Sequence, residues 1–216
     1  MTLQSLPLVH RLALSYAPAS SREDVLNLLL LDTRLASIVR NMGEVMIAQI
    51  KLAWWRERLG EDPSRWPKGE PLLERLQAGS VDPVRFAPLV DGWEVMLLEA
   101  PSASDLGELV RARASAWSSL GSSLAPEDAA TEAVMAAAGQ WTLAELLIVS
   151  PELEGEVHKA AKSLGLDAAS QGLPRALRPL AVLRALAVRA VARGSGEMLD
   201  GLASALLALR VGLFGR

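Results

Sequence analysis

Two histidines, 25 carboxylates and 22 basic side chains are the groups with which this 216-residue chain could do acid–base, metal or anion chemistry, since it has no cysteine. Disulfides, thiolate metal sites and a cysteine nucleophile are thereby excluded. His10 and His158 stand far apart, each on an expected helix with no second ligand at i+3 or i+4. A histidine zinc site is not expected, and an ordinary structural or solvated histidine is the reading for both. The sequence contains no GxSxG, P-loop or GxGxxG, so the familiar signatures of acyl transfer, nucleotide phosphates and dinucleotides are missing.

Carboxylates four apart on a helix can point into one cavity and hold Mg²⁺ against a diphosphate. The chain has no DxxxD; the nearest pairs are Glu70/Glu74, Asp128/Glu132 and Glu152/Glu156. All three fall at expected helix starts, where an acid favours the N-terminal dipole, and that role is preferred over metal binding. Among the cations, Arg189 and Arg193 share a helix face, with Arg175 and Arg178 just before that helix and Arg184 turned elsewhere. They suit an anion or an anionic lipid surface, although a solvated face of the last helical hairpin accounts for them too, and is preferred. Charge is uneven: residues 157–216 carry 9 basic and 3 acidic side chains, residues 1–156 carry 13 and 22. The acidic balance overall, and the lack of aromatic residues among these arginines, argue against a nucleic-acid partner.

What must position these groups is helical. Half the residues are apolar, and Ala and Leu outweigh the β-branched and aromatic types that favour strands. The expectation is an all-α, single-domain bundle over 1–216. Helices are expected at Leu6–Tyr16, from Arg22 through "VLNLLLLDTRLASIVRN", and along "VMIAQIKLAWWRERL" after Gly43. Further ones follow at Pro71–Ala78, Pro83–Glu99, Asp105 to about Leu124, from Pro126 to Val149, and at Glu152–Leu164. Pro179 starts a basic helix, and "MLDGLASALLALRVGLF" ends the chain, too apolar to sit free in water. The third helix carries Ile47, Ile50 and Trp54 on one face and Val45, Leu52, Trp55 and Leu59 on another, which suits the middle of a bundle with both tryptophans inside. Gln49 is a candidate partner for an indole N–H. No uncharged stretch reaches the 18 or so residues that span a bilayer, so no transmembrane segment is expected. The expected location is the cytoplasm, with contact to a membrane surface left open.

The stretch "HRLALSYAPASSREDVLNLLLLDTRLASIVRNMGEVMIAQIKLAWWRERL", His10 to Leu59, resembles the opening of the squalene/phytoene synthase family. Within it, the bacterial branch that also looks like a mitochondrial respiratory complex I assembly factor is the most similar. The features that match are Ala17, Pro18 and Arg22, then Arg34-Leu35-Ala36, then Lys51 to Leu59 with the Trp54-Trp55 pair; "RFAPLVDGWEVMLLE" and "AAAGQWTLAELL" fit more loosely. The resemblance implies an isoprenoid-synthase-type bundle. Active members of the family condense two prenyl diphosphates, holding Mg²⁺ with two DxxxD motifs on facing helices. Laid on this chain, the first motif's metal-binding aspartates fall on Ala36 and Arg40, and the second falls near Ser150 and Glu154. The implied protein is a pseudoenzyme with no catalytic residue, metal ligand or cofactor, which binds a partner protein, a lipid or an isoprenoid. Two alternatives stand beside it. One is an active prenyl transferase of isoprenoid biosynthesis, with Mg²⁺ as its cofactor, that grips diphosphate with arginines. The other is a peripheral lipid-surface protein. The candidate ligand-binding residues are Arg22, Arg34, Arg40 and Gln49.

Overall fold

The computed structural model describes residues 3–41, 43–124, 131–166 and 172–215, which form an all-α fold with no strand among them. The helices are α1 (Leu8–Leu14), α2 (Arg22–Arg40), α3 (Val45–Gly60), α4 (Pro71–Ala78), α5 (Ala87–Glu94), α6 (Ala103–Leu124), α7 (Thr131–Val149), α8 (Glu154–Ser163), α9 (Arg178–Ala192) and α10 (Gly201–Phe214).

Local chemistry explains most of their starts. Ser102 and Asp105 form a reciprocal cap at α6: the Ser102 N–H donates to Asp105 Oδ2 at 2.8 Å, and the Asp105 N–H donates to Ser102 Oγ at 3.4 Å. Pro71 opens α4 behind Glu70, whose carboxylate accepts from the Leu72 N–H. The helix start expected at Pro126 lies outside the described residues. Residues 83–99 are not one helix. Asp82 caps a 3-10 turn, α5 follows, and a second 3-10 turn at Val95–Leu97 tightens the chain before Leu98 turns extended. Pro101 three residues later disfavours helical backbone at Ala100, so the helix has nowhere to continue.

α6 and α7 pack side by side, α9 covers the other flank of α7, and α5 lies on α6. Outside these, α3 rests on α5 and α10 on α9, while α2 touches α1, α3, α4, α5 and α6. α7 is therefore the centre, which is why it has almost no polar face. Glu132–Val149 is long and apolar enough to cross a membrane by length and composition, but 61% of it is buried inside this bundle.

The expected central position of α3 is corrected. It buries one stripe only, Ala48, Leu52, Trp55 and Leu59, at helical spacing. Val45, Met46, Ile47 and Ile50 are exposed, because α3 meets the bundle at its edge, chiefly through α5. Trp55 is buried, whereas Trp54 is half-buried and meets it edge-on at 5.2 Å. Gln49 is exposed, not a partner to an interior indole. The end of the chain also departs from expectation, since much of α10 faces outward.

Candidate functional site

Three helices each bring one charge to a single place in the interior. Asp32 sits among the leucines of α2, Arg113 in the middle of α6, and Glu145 on α7 one turn after Trp141. Where these helices cross, Arg113 makes a two-pronged bond to Asp32, from Nε to Oδ1 at 3.1 Å and from Nη2 to Oδ2 at 2.8 Å. Its Nη1 donates to Glu145 Oε2 at 2.7 Å. The side chains of Asp32 and Arg113 are 4% and 3% exposed and that of Glu145 10%, so water contributes little to balancing these charges.

Aromatic rings close the remaining sides. The Arg113 guanidinium carbon lies 4.3 Å from the Trp141 ring centroid and 4.9 Å from that of Trp93, which adds cation–π attraction to the in-plane bonds. Trp93, at the end of α5, also donates its indole N–H to Asp32 Oδ1 at 2.8 Å. Thr142 Oγ1 donates to the Ala138 carbonyl at 2.7 Å and lies 3.5 Å from Arg113 Nη1. Arg40, on the last turn of α2, bonds Glu145 Oε1 at 3.4 Å from a partly exposed position. Two cations thus face two anions.

His10 of α1 is buried against this group, its ring edge-on to Trp141 at 5.9 Å and its Nδ1 3.4 Å from Thr33 Oγ1. Burial pushes the His10 pKa below its ordinary value, against the opposing pull of Glu145 and Asp32. Burial alone would raise Glu145, but the Arg113 charge, helped by His10 and Arg40, brings it down to about 2. For Arg113 too, burial works against the charged form and is outweighed by Asp32 and Glu145, which hold its pKa above the usual arginine value. The interior is a neutral, fully engaged ion cluster.

Such a cluster can do little of what a diphosphate-binding metal site must. Mg²⁺ asks for carboxylate oxygens free to approach at about 2.1 Å. Both interior carboxylates are already committed to Arg113, and Ala36 is a buried methyl group with no donor. At Arg40 a cation stands where a ligand would be needed, and it faces Glu145. Among the described residues, no three His, Asp or Glu side chains gather as a metal site would require. Ser150 follows the end of α7 and Glu154 opens α8, so they do not form a facing pair on one helix. The residues present do not fit the metal that the resemblance implies.

Of the four arginine and glutamine candidates, Arg40 alone reaches the cluster. Arg22 and Arg40 sit at opposite ends of α2, about 27 Å apart along its axis at 1.5 Å per residue. Arg22 instead donates to the carbonyls of Ser15 and Ala17, tying α1 to α2; Arg34 and Gln49 are exposed. The four do not converge on one ligand. Sequence reasoning missed Asp32, Arg113, Glu145, Trp93 and Trp141 as a group. The available signal was a charge set inside an apolar run of each helix, Asp32 after four leucines, Arg113 between two alanines and Glu145 before two leucines, and such charges can be buried only by meeting. No family model matches this chain, and no curated protein or solved structure is significantly similar to it.

Proposed function

We propose that this chain is a non-catalytic, squalene/phytoene-synthase-like helical protein that works by binding a partner at its surface. The observation that carries the reading is the Arg113–Asp32–Glu145 cluster, which Arg40 joins from the first motif position. A prenyl transferase needs an interior that neutralises a departing diphosphate, and metal-bound carboxylates do that by leaving positive charge facing the substrate. Here the buried positive charge faces two carboxylates. Discharging Asp32 and Glu145 from Arg113 to free them for a metal would leave a guanidinium without a partner in a dry core.

The alternative of an arginine grip on diphosphate is less well supported, because Arg22, Arg34 and Arg40 are spread along the length of α2. Exposed apolar residues instead mark the outside as the working surface, with Val45, Met46, Ile47 and Ile50 on α3 and a leucine stripe on α10. The test is to incubate the pure chain with Mg²⁺ and farnesyl or geranylgeranyl diphosphate. Diphosphate should be released no faster than in buffer, and release at enzymatic rates would overturn the assignment.

A further inference from the structure

The last helix is built inside out. α10 buries Ser204, Ala208, Val211 and Gly212, three of them small or polar, and a Cβ on Gly212 would fall within the ring of Tyr16. Its large side chains face away: Leu202, Leu206, Leu209 and Leu213 recur at spacings of four, three and four, and are 77%, 56%, 46% and 57% exposed. Phe214, 68% exposed, adjoins that stripe. The outward half of the helix carries one charge, Arg210, and no carboxylate.

The cations nearby are unanswered. Arg40, Arg56, Arg58, Arg75, Arg111 and Arg113 all pair with carboxylates. Among the described residues no ion pair is made by Arg175, Arg178, Arg184, Arg189, Arg193 or Arg210, which belong to α9, α10 and the turns beside them. Arg178 donates to the Gly212 carbonyl at 2.8 Å, capping α10, and Arg184 donates to Gln140 at 2.6 Å. Arg184 and Arg210 line a cleft of about 240 Å³ between α9 and α10, together with Val188 and Leu207.

We propose that this outward face of α10, with the arginines beside it, docks on an anionic phospholipid bilayer. The helix would lie in the plane of the membrane with its leucines and Phe214 in the acyl boundary, and Arg184 and Arg210 would meet lipid phosphates at the cleft. The charge favours this occupant, because Arg178, Arg184, Arg189 and Arg210 outnumber the two acids of the adjoining turn, Glu197 and Asp200, and α10 itself carries no carboxylate. A second copy docked through the same face would bring the same arginines and no carboxylate from α10. Size points the same way. A helix of 14 residues is about 21 Å long and about 10 Å wide, a footprint of about 200 Å², against the roughly 800 Å² per partner of a stable protein interface. A bilayer needs no such area from one helix, since each leucine contributes as it leaves water. The proposal does not depend on the catalytic state of the interior.

Flotation of the full chain with vesicles tests it without any prenyl substrate. The chain should rise with phosphatidylcholine vesicles containing about a quarter phosphatidylglycerol, fail to rise with phosphatidylcholine alone, and be released as salt shortens the electrostatic range. Arg210→Gln should weaken binding about fivefold, from roughly 1 kcal/mol per arginine at such a surface. Leu206→Ser with Leu209→Ser, both at exposed positions, should weaken it at least about tenfold while leaving the helical circular dichroism unchanged. A chain that stays at the bottom with anionic vesicles overturns the proposal, as does flotation indifferent to the leucine substitutions. A dimer in sedimentation that those same substitutions dissolve also overturns it, by assigning the face to self-association.

Discussion

Arg113→Met keeps the bulk of the side chain and removes its charge, leaving Asp32 and Glu145 buried with Arg40 as their remaining cation. Breaking a buried pair in this way costs about 3–5 kcal/mol. The fall of Glu145 from 4.5 to about 2 points the same way, being on the order of 3 kcal/mol at 1.36 kcal/mol per tenfold change in proton affinity and shared among Arg113, His10 and Arg40. Because the folded value lies below the unfolded one, that stability is complete above pH 4.5 and is lost as pH falls from about 4.5 towards 2. Urea unfolding followed by tryptophan fluorescence at pH 7 should therefore show Arg113→Met destabilised by about 3–5 kcal/mol. The deficit should shrink at lower pH, where one of the stranded carboxyls takes up a proton. Replacing all three charges together, with Asp32→Leu, Arg113→Met and Glu145→Leu, should recover most of the loss, since an apolar filling of similar volume has no charge to desolvate. A single variant that loses less than about 1 kcal/mol would mean the charges are effectively solvated, and a triple variant no better than the single would refute the pairing argument.

His10, held neutral by burial, carries linkage of the same sign at a higher pH: the unfolded chain binds its proton more readily, so stability should decline as pH drops below about 6.5. His10→Gln should flatten that slope in denaturation curves collected between about pH 5 and 7, with Glu145, Asp32, Arg113 and Arg40 left in place around it. Gly92→Ala would put a Cβ 2.5 Å from the Ala112 Cβ and 3.2 Å from the Leu109 Cα where α5 crosses α6. Overpacking of about 1–3 kcal/mol should exceed the gain of up to about 1 kcal/mol in helix propensity, and Ala112→Gly in the same chain should relieve it, both read from thermal midpoints.

The sequence made the helices legible wherever the backbone is punctuated locally. Pro71–Ala78 lies where expected because the Glu70 cap and Pro71 act at its first turn, and Arg22–Arg40 because its apolar residues recur at helical spacing. Sidedness was harder to read. Val45, Ile47 and Ile50 at the start of α3 are apolar enough to suit a core, yet burial requires a neighbour, and α3 has the bundle on one side only. At α10 the leucines looked like core for the same reason, while the small residues that permit close approach to α9 and Tyr16 determined which half went inward. The central cluster is not legible locally, because α2, α6 and α7 each carry other charges besides Asp32, Arg113 and Glu145. Which helices would cross at Asp32, Arg113 and Glu145 depends on packing among segments up to 113 residues apart, beyond what any local pattern records.

The distance along the chain between Asp32 and Arg113 also bears on how the molecule is made. While only the first hundred residues have left a ribosome, α2 can cover its leucines only by drawing an ionised carboxylate out of water with no guanidinium from α6 to receive it. Early collapse of the N-terminal helices is thereby penalised. α2 gains its full reward when α6 arrives, and the α6 cation is balanced only when α7 follows with Glu145. Consolidation of the core should therefore wait until two-thirds of the polypeptide is available, and a product truncated before α7 should be soft and prone to degradation.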